Sequence, residues 1–529
     1  MTVRSISKPI ANSICRTILK FSESSVQKTI DPSIASKSHA IYATKKVVQN
    51  YAGNAVKLKR VSDSTEQDFA FQSDGTLDSS AIETFRGAST LRVSKLYDQS
   101  GAGLDLTPPA STNAPGFRKA RDGNWIVCFK DYANFSAISE EYLQNTGGSF
   151  ANRDIHVIQC GRWNNQSDTQ PGNGPTTYQI GFASATDLID YNGNVRVNTV
   201  SPVAQRFRQK YIFVGGTSRT MNTVKSGYFA NANMSVAATK STASGIRIRH
   251  KGYFEATAAA GTNKTGLSGI RFGASFGTSF VSTSVACFFM VSTALSDDEE
   301  DSVATVCKNV FGASVAPSAQ VVCEGDSISA GYKGTLYDDR DESWPILLAN
   351  SLGPSVLVRN LSISSAHFDA TADGGTASLA ITEQSPDKTD PLLDSAYFAS
   401  GKQLLVIWAG TNDLFYKSGV DGDAEAVHTR LQTYCNARGT AGWKVLVVGP
   451  IPRGPFSAGQ DTELAAFNDL IALNYTSYAN GFVDMLAQNW TPSGSYATNY
   501  LVDEIHPNAT GRQKAMEIIK PYIQSILGV

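Results

Sequence analysis

The chain predicts a multidomain protein. An N-terminal antiparallel β-sandwich is followed by a three-layer α/β/α domain built on a five-stranded parallel sheet. Two observations carry this reading. Residues 39–312 are rich in Gly, Ser, Thr and Asn, and their apolar runs are short and parted by turn residues, the mark of antiparallel strands. From residue 319 onward, strand-like apolar runs alternate with helical ones, as in a parallel sheet whose crossovers cover both faces. A length of 529 residues fits on the order of two or three domains. An apolar fraction of 41% and an aromatic fraction of 10% are enough for real cores.

Taken in order, residues 1–38 read as a separate arm. Ile10, Ile14, Ile18 and Leu19 can share one helical face, so the arm is either an anchor to a partner or a disordered tail. The sandwich strands are expected around Ile155, Tyr211, Gly245, Ile270 and Val285. A helix follows Leu295, with Ser296 as its cap, Glu299 closing a capping box and further acids at the positive end of the dipole. It runs to about Phe311, and residues 313–318 form a short linker. In the last domain, 319–529, strands are expected near Gln320, Val356, Gln403, Lys444 and Phe482. Helices are expected near 341–351, 422–438, 461–479 and 509–526. The last helix carries an apolar stripe of Ala515, Ile518, Ile519, Tyr522, Ile523 and Ile526.

Composition excludes several functions. The 46 basic and 47 acidic residues nearly cancel to a net charge of −1, giving no electrostatic case for nucleic acid or an anionic membrane. No run of about 18 apolar residues occurs, so no membrane-spanning helix is expected. The first residues are basic but broken by Pro9 and lack a secretory signal. The protein is therefore expected in the cytoplasm, or to leave it by lysis or on a particle. The seven cysteines, Cys15, Cys128, Cys160, Cys287, Cys307, Cys323 and Cys435, are scattered and odd in number, with no Cys-x-x-Cys. Buried free thiols are expected rather than disulfides or metal ligands.

Three strings in the last domain carry chemistry: Gly325-Asp326-Ser327, Gly410-Thr411-Asn412-Asp413 and Asp503-Glu504-Ile505-His506. Each is common alone, as a turn, a helix cap or a surface imidazole. Together they follow the first strand, the third strand and the loop into the last helix, and active sites of parallel sheets lie beyond the carboxyl ends of the strands. Ser327 is the candidate nucleophile, His506 its base and Asp503 the group that fixes the imidazole tautomer. Asn412 and the Ser327 backbone N–H are candidate oxyanion donors. Asp326 supports the turn, and Gly325 and Gly410 allow close backbone approach. No metal or cofactor is expected. The other five histidines, His39, His156, His250, His367 and His428, have no matching partners; His367 either touches substrate or is structural. The acidic run Asp338-Asp339-Arg340-Asp341-Glu342 fits no ligand template and reads as a solvated rim.

On these motifs residues 321–511 resemble the SGNH (GDSL-type) hydrolase superfamily, with Trp344-Pro345 as a common companion. The resemblance implies a carboxylic ester hydrolase without cofactor. It also aligns Asn360 to Ser365 with a family string whose last position is a glycine that donates a third oxyanion N–H; here Ser365 stands in its place. In the sandwich, the stretches Asp63 to Phe71, Asp74 to Asp78 and Leu96 to Gly103 resemble the concanavalin-like jelly roll of B-type arabinofuranosidases and of phage tail modules. That family's catalytic carboxylates have no placement here, and the sandwich is expected to be structural or carbohydrate-binding.

The pairing implies an O-acetylesterase acting on a bacterial surface polysaccharide. The implied setting is a phage tail fibre or tailspike, virion-borne, docked on a tail or baseplate protein through residues 1–38, and of the commonly trimeric kind. The alternatives are a generic bacterial esterase or lipase acting on small or lipid esters, and a non-catalytic receptor-binding tail protein.

Overall fold

A computed structural model of the chain describes residues 27–120, 123–128, 143–149, 155–164, 176–183, 188–195, 207–213, 219–222, 232–242, 245–250, 254–259, 268–272, 283–331, 343–362, 365–368, 380–382, 389–416, 423–454, 456–488, 490, 498 and 503–529. The helical face of the N-terminal arm, Cys15 and the acidic run at 338–342 lie outside these residues.

The first half folds as two antiparallel sheets, one of 11 strands and one of 6. Strand Thr283–Ser292 is the spine of the larger sheet. It pairs with Ser38–Ala43, Trp125–Cys128 and Ile155–Asn164. Its side chains alternate between faces, as the two-residue period of a strand requires. Phe289 and Val291 enter the core between the sheets, where Phe272 of the smaller sheet stacks on Phe289 at 4.8 Å. Phe288 and Met290 enter a second core, roofed by helix Asp297–Phe311. The capping box expected at Ser296 and Glu299 forms, and Gly312 closes the helix at φ +68°.

Two boundaries differ from the sequence expectation. The end of the presumed arm belongs to the sandwich: Ile30 and Ile34 are buried in the second core beside a short helix, Pro32–Ala35. Ile30 before that helix and Ile34 within it are its buried isoleucines, and 27–37 contains no long apolar run that would advertise this. The presumed linker is a packed seam. Ser314 is fully buried; its N–H donates to Met234 O at 2.8 Å and its hydroxyl to Pro354 O at 2.8 Å.

The second half carries five parallel strands: β1 (Ala319–Gly325), β2 (Val356–Asn360), β3 (Gln403–Trp408), β4 (Lys444–Val448) and β5 (Gly481–Val483), in the order 2-1-3-4-5. Both faces are covered. Val322, Leu405, Ile407, Val445 and Val447 face helices Ala424–Ala441 and Ala458–Asn474. Val321, Cys323, Leu404, Val406 and Trp408 face helices Trp344–Leu352 and Ala509–Leu527. On the last helix the buried apolar side chains are Ala515, Met516, Ile519, Ile523 and Leu527, while Tyr522 is 40% exposed. The expected stripe is thus rotated toward Met516 and Leu527, which leaves the Tyr522 ring in water.

Strand β2 is an edge, and such edges need covering. The sandwich covers it. The Asn233 side chain accepts from Val358 N–H at 2.7 Å and donates to Val356 O at 3.2 Å, while Ala232 N–H donates to Val358 O at 2.8 Å. Among the described residues no helix is long and apolar enough to cross a membrane. Cys128, Cys160, Cys287, Cys307, Cys323 and Cys435 are buried free thiols.

Candidate active site

The order 2-1-3 places a reversal of strand order, with every strand still parallel, between β1 and β3, and ligand crevices of open parallel sheets form beyond such points. Gly325 at the end of β1 lies level with Trp408 at the end of β3. A Cβ on Gly325 would stand 2.3 Å from Trp408 O, so only glycine fits there. At the end of β3, Gly410 has φ +114° and presses against Phe467, where a Cβ would come within 2.8 Å.

Asp326 then caps a short helix, Ser327–Ala330, its carboxylate accepting from Ile328 N–H at 2.9 Å. This turn presents Ser327, half-buried, at the head of the helix. Trp344 braces it from below, donating from Nε1 to Ser329 Oγ at 3.0 Å. On the opposite side Asp503 and His506 precede helix Ala509–Leu527. Asp503 Oδ1 accepts from the N–H groups of Ile505 and His506 at 3.0 and 3.1 Å, and Glu504 takes φ +54° to make the turn. The result is a hydrogen-bonded line. His506 Nδ1 lies 2.7 Å from Asp503 Oδ2, and His506 Nε2 lies 2.8 Å from Ser327 Oγ. A carboxylate only accepts, so Nδ1 carries the hydrogen and Nε2 is left to receive one from the serine hydroxyl.

The electrostatics suit that tautomer. Burial pushes the His506 imidazole below its ordinary value, against the pull of Asp503; the positive charges of Arg453 and Arg512 push in the same direction as burial. Burial raises the Asp503 carboxyl, but hydrogen bonds from the His506 ring and from the two backbone N–H groups outweigh it, so Asp503 stays ionised below its usual range. Asp326 differs: burial pushes it up to about 7, opposed by the Ile328 N–H and by Arg453.

Asn412 and the loop of Ser365 also meet here. Asn412 Nδ2 donates to Ala366 O at 3.0 Å. Ser365, in the glycine-aligned position, has φ +62°, a conformation that costs a non-glycine residue about 1–2 kcal/mol. The loop is clamped around it: His367 Nδ1 donates to Ser365 O at 3.1 Å, and Phe368 N–H donates to both oxygens of Asp413 at 3.0 and 3.3 Å. Asp413 is itself pushed up to about 6 by burial, against the Phe368 N–H. Sequence reasoning missed Asp413 as a clamp and Arg453 altogether. Arg453 is buried on the loop after β4, stacked over Phe415 at 3.8 Å, with Nη1 3.5 Å from Asn412 Oδ1. Its place beyond the carboxyl end of a parallel strand was the available signal. No group of three or more metal-ligating side chains clusters among the described residues.

With this geometry in hand, comparison with known proteins is direct. Residues 323–514 match the GDSL-like lipase/acylhydrolase family. Residues 30–126 match the catalytic domain of alpha-L-arabinofuranosidase B. The fold is accordingly an SGNH-type α/β/α domain behind an antiparallel β-sandwich. No curated protein matches the chain. Among solved structures, a GH54 α-L-arabinofuranosidase aligns at 16% identity and a TM-score of 0.38, over 52% of this chain and 62% of its own length. A carbohydrate acetylesterase family member from Sinorhizobium meliloti aligns at 20% identity and a TM-score of 0.30, over 40% of this chain and 100% of its own. An acetylxylan esterase from Geobacillus stearothermophilus aligns at 13% identity and a TM-score of 0.30, over 41% and 97%. The chain thus spans 62% of the length of the arabinofuranosidase.

In the region matched to the arabinofuranosidase, Asp98 and Gln99 are buried and work as struts. Asp98 accepts from Ile41 N–H at 2.9 Å and from Ser100 N–H at 2.8 Å. Gln99 accepts from Val47 N–H at 3.0 Å and donates to Ala43 O at 3.2 Å and Lys45 O at 3.1 Å.

Proposed function

We propose that this protein is a serine esterase that removes O-acetyl groups from a bacterial surface polysaccharide. The observation that carries the reading is the unbroken line from Ser327 Oγ through His506 to Asp503, at 2.8 and 2.7 Å. In the first half-reaction Ser327 Oγ attacks the ester carbonyl while His506 Nε2 takes its proton. The carbonyl oxygen becomes an oxyanion, facing the Ser327 N–H, the second Asn412 N–H and the Ser365 N–H. Collapse expels the sugar alkoxide, which receives the proton from His506, and leaves an acetyl ester on Ser327. In the second half-reaction a water gives its proton to His506 and attacks the acetyl-serine; as the tetrahedral species collapses, His506 returns the proton to Ser327 Oγ and acetate leaves. Asp503 keeps the imidazole in its working tautomer throughout. Each of these steps uses groups of the chain and water alone.

The polysaccharide part of the reading is supported by the pairing of two matched segments in one chain, a GDSL-like acylhydrolase and an arabinofuranosidase-like sandwich. We place the reaction on a phage tail fibre or tailspike, with the docking segment for the particle sought within residues 1–38. Hydrolysis of 4-nitrophenyl acetate against its long-chain analogues tests the substrate class. Short acetates and acetylated glycan are expected to be preferred, and Ser327→Ala is expected to lose at least about 10³-fold in kcat. A preference for long chains would turn the reading to a lipase. Unchanged acetate release by Ser327→Ala would remove the assigned nucleophile.

A further inference from the structure

An asparagine serves an oxyanion only when its NH₂ end faces the site. The two ends of the amide are nearly the same shape, so something must choose between them. Around Asn412 the choice is made by two neighbours that each do one thing. On one side the Ala366 carbonyl, 3.0 Å from Nδ2, only accepts. On the other side Arg453, with Nη1 3.5 Å from Oδ1, only donates. Turning the amide over would set donor against donor and acceptor against acceptor. At 3.5 Å the Arg453 contact is long for a hydrogen bond; its force is that of a charge on the amide dipole in a buried site.

The guanidinium is well placed to hold still. It lies 3.8 Å from the Phe415 ring centroid and 5.7 Å from that of Phe456, two rings stacked on one another at 5.9 Å. The next residue ties the same loop to the histidine side of the site, Gly454 N–H donating to Glu504 O at 2.9 Å. One loop beyond β4 therefore touches both the oxyanion side and the base side of the crevice.

We propose that Arg453 is a positioning residue of the oxyanion hole: as a donor without an acceptor, it holds the Asn412 amide with Oδ1 turned away and Nδ2 turned toward the reacting carbonyl. The inference rests on the esterase reading. It predicts that Arg453 supports the oxyanion through Asn412, beside its longer-range charge on His506 and Asp326.

The test is a double-mutant cycle on hydrolysis of 4-nitrophenyl acetate, with thermal unfolding of each variant as the control for folding. Arg453→Met is expected to lower kcat by about 10²-fold with KM within about 3-fold, bounded by the worth of one oxyanion donor. Asn412→Ala is expected to lose about 10²–10³-fold, and adding Arg453→Met to it is expected to change kcat by less than about 3-fold. Two further variants separate donor chemistry from packing. Lysine donates and cannot accept, so Arg453→Lys should stay within about 10-fold of wild type; glutamine can accept from a reversed amide, so Arg453→Gln should fall with Arg453→Met.

Losses that multiply in the Asn412→Ala background would overturn the proposal, as would a glutamine variant as active as the lysine variant, or an effect confined to KM. These outcomes leave the esterase reading standing. A wild type inactive on every ester would sink that reading and this proposal with it.

Discussion

Each half of the molecule buries a histidine against a carboxylate. In the sandwich His156 Nε2 lies 3.0 Å from Glu300, and in the α/β domain His506 Nδ1 lies 2.7 Å from Asp503. Burial pushes both imidazoles below their ordinary value. Depth and a nearby carboxylate therefore do not separate the two. The second nitrogen does. His156 Nδ1 accepts from Leu295 N–H at 3.3 Å, and Glu300 is further held by Arg247 at 2.8 Å and Arg249 at 3.4 Å. These contacts join helix Asp297–Phe311, and Leu295 just before it, to strands of the large sheet, and the imidazole ends as a rivet. His506 Nε2 meets a hydroxyl at the end of a parallel strand, and under the esterase reading proposed above the same chemistry serves as a base. What separates the two pairs is what the far nitrogen faces, a backbone N–H in one and a serine hydroxyl in the other.

The sharpest way to break this comparison is to remove each ring in turn. His506→Ala is expected to lower kcat on an acetate ester by about 10⁴–10⁶-fold while the unfolding midpoint barely moves. His156→Ala is expected to do the reverse: kcat of the folded protein unchanged, and stability lowered by about 3 kcal/mol through loss of one member of a buried charged cluster. Thermal unfolding and steady-state rates read both. A folded His156→Ala protein without activity would contradict the division of roles.

A smaller effect sharpens the electrostatic side. Burial raises the Asp326 carboxyl to about 7, above the roughly 3.9 of an exposed aspartate. Its contribution to stability is then full below about pH 4 and is lost as the pH rises through about 7, where the buried carboxyl must ionise. Asp326→Asn keeps the oxygen that caps Ile328 and never ionises. Its unfolding midpoint relative to wild type is expected to rise between pH 4 and pH 7 and to level off above. A difference independent of pH would show that Asp326 does not titrate in this window.

Two of the three strings were legible because each sits where a strand ends, the easiest feature to find in apolar runs such as Gln403–Trp408, and the third because it sits just before the last helix. The glycine-aligned position was legible as an anomaly: Ser365 holds the left-handed conformation itself, at φ +62°. What escaped was whatever depends on contacts between distant segments. Arg453 is one arginine among several until the fold sets it against Asn412. Ser314 reads as linker because Ala, Ser and Pro look solvated, yet the seam with Met234 and Pro354 buries it. Tyr522 fits a helical stripe by period alone; which side of that stripe meets the sheet is decided by Met516 and Leu527.

The central claim is that Ser327 becomes a nucleophile because His506 draws its proton. Covalent trapping with a fluorophosphonate, followed by mass spectrometry of the peptides, tests it most directly. The expected result is a single adduct on Ser327, formed ever more slowly as the pH falls through a value below the ordinary histidine range of about 6.5, and not formed in His506→Ala. No adduct on Ser327, or one formed equally fast without His506, would contradict the account.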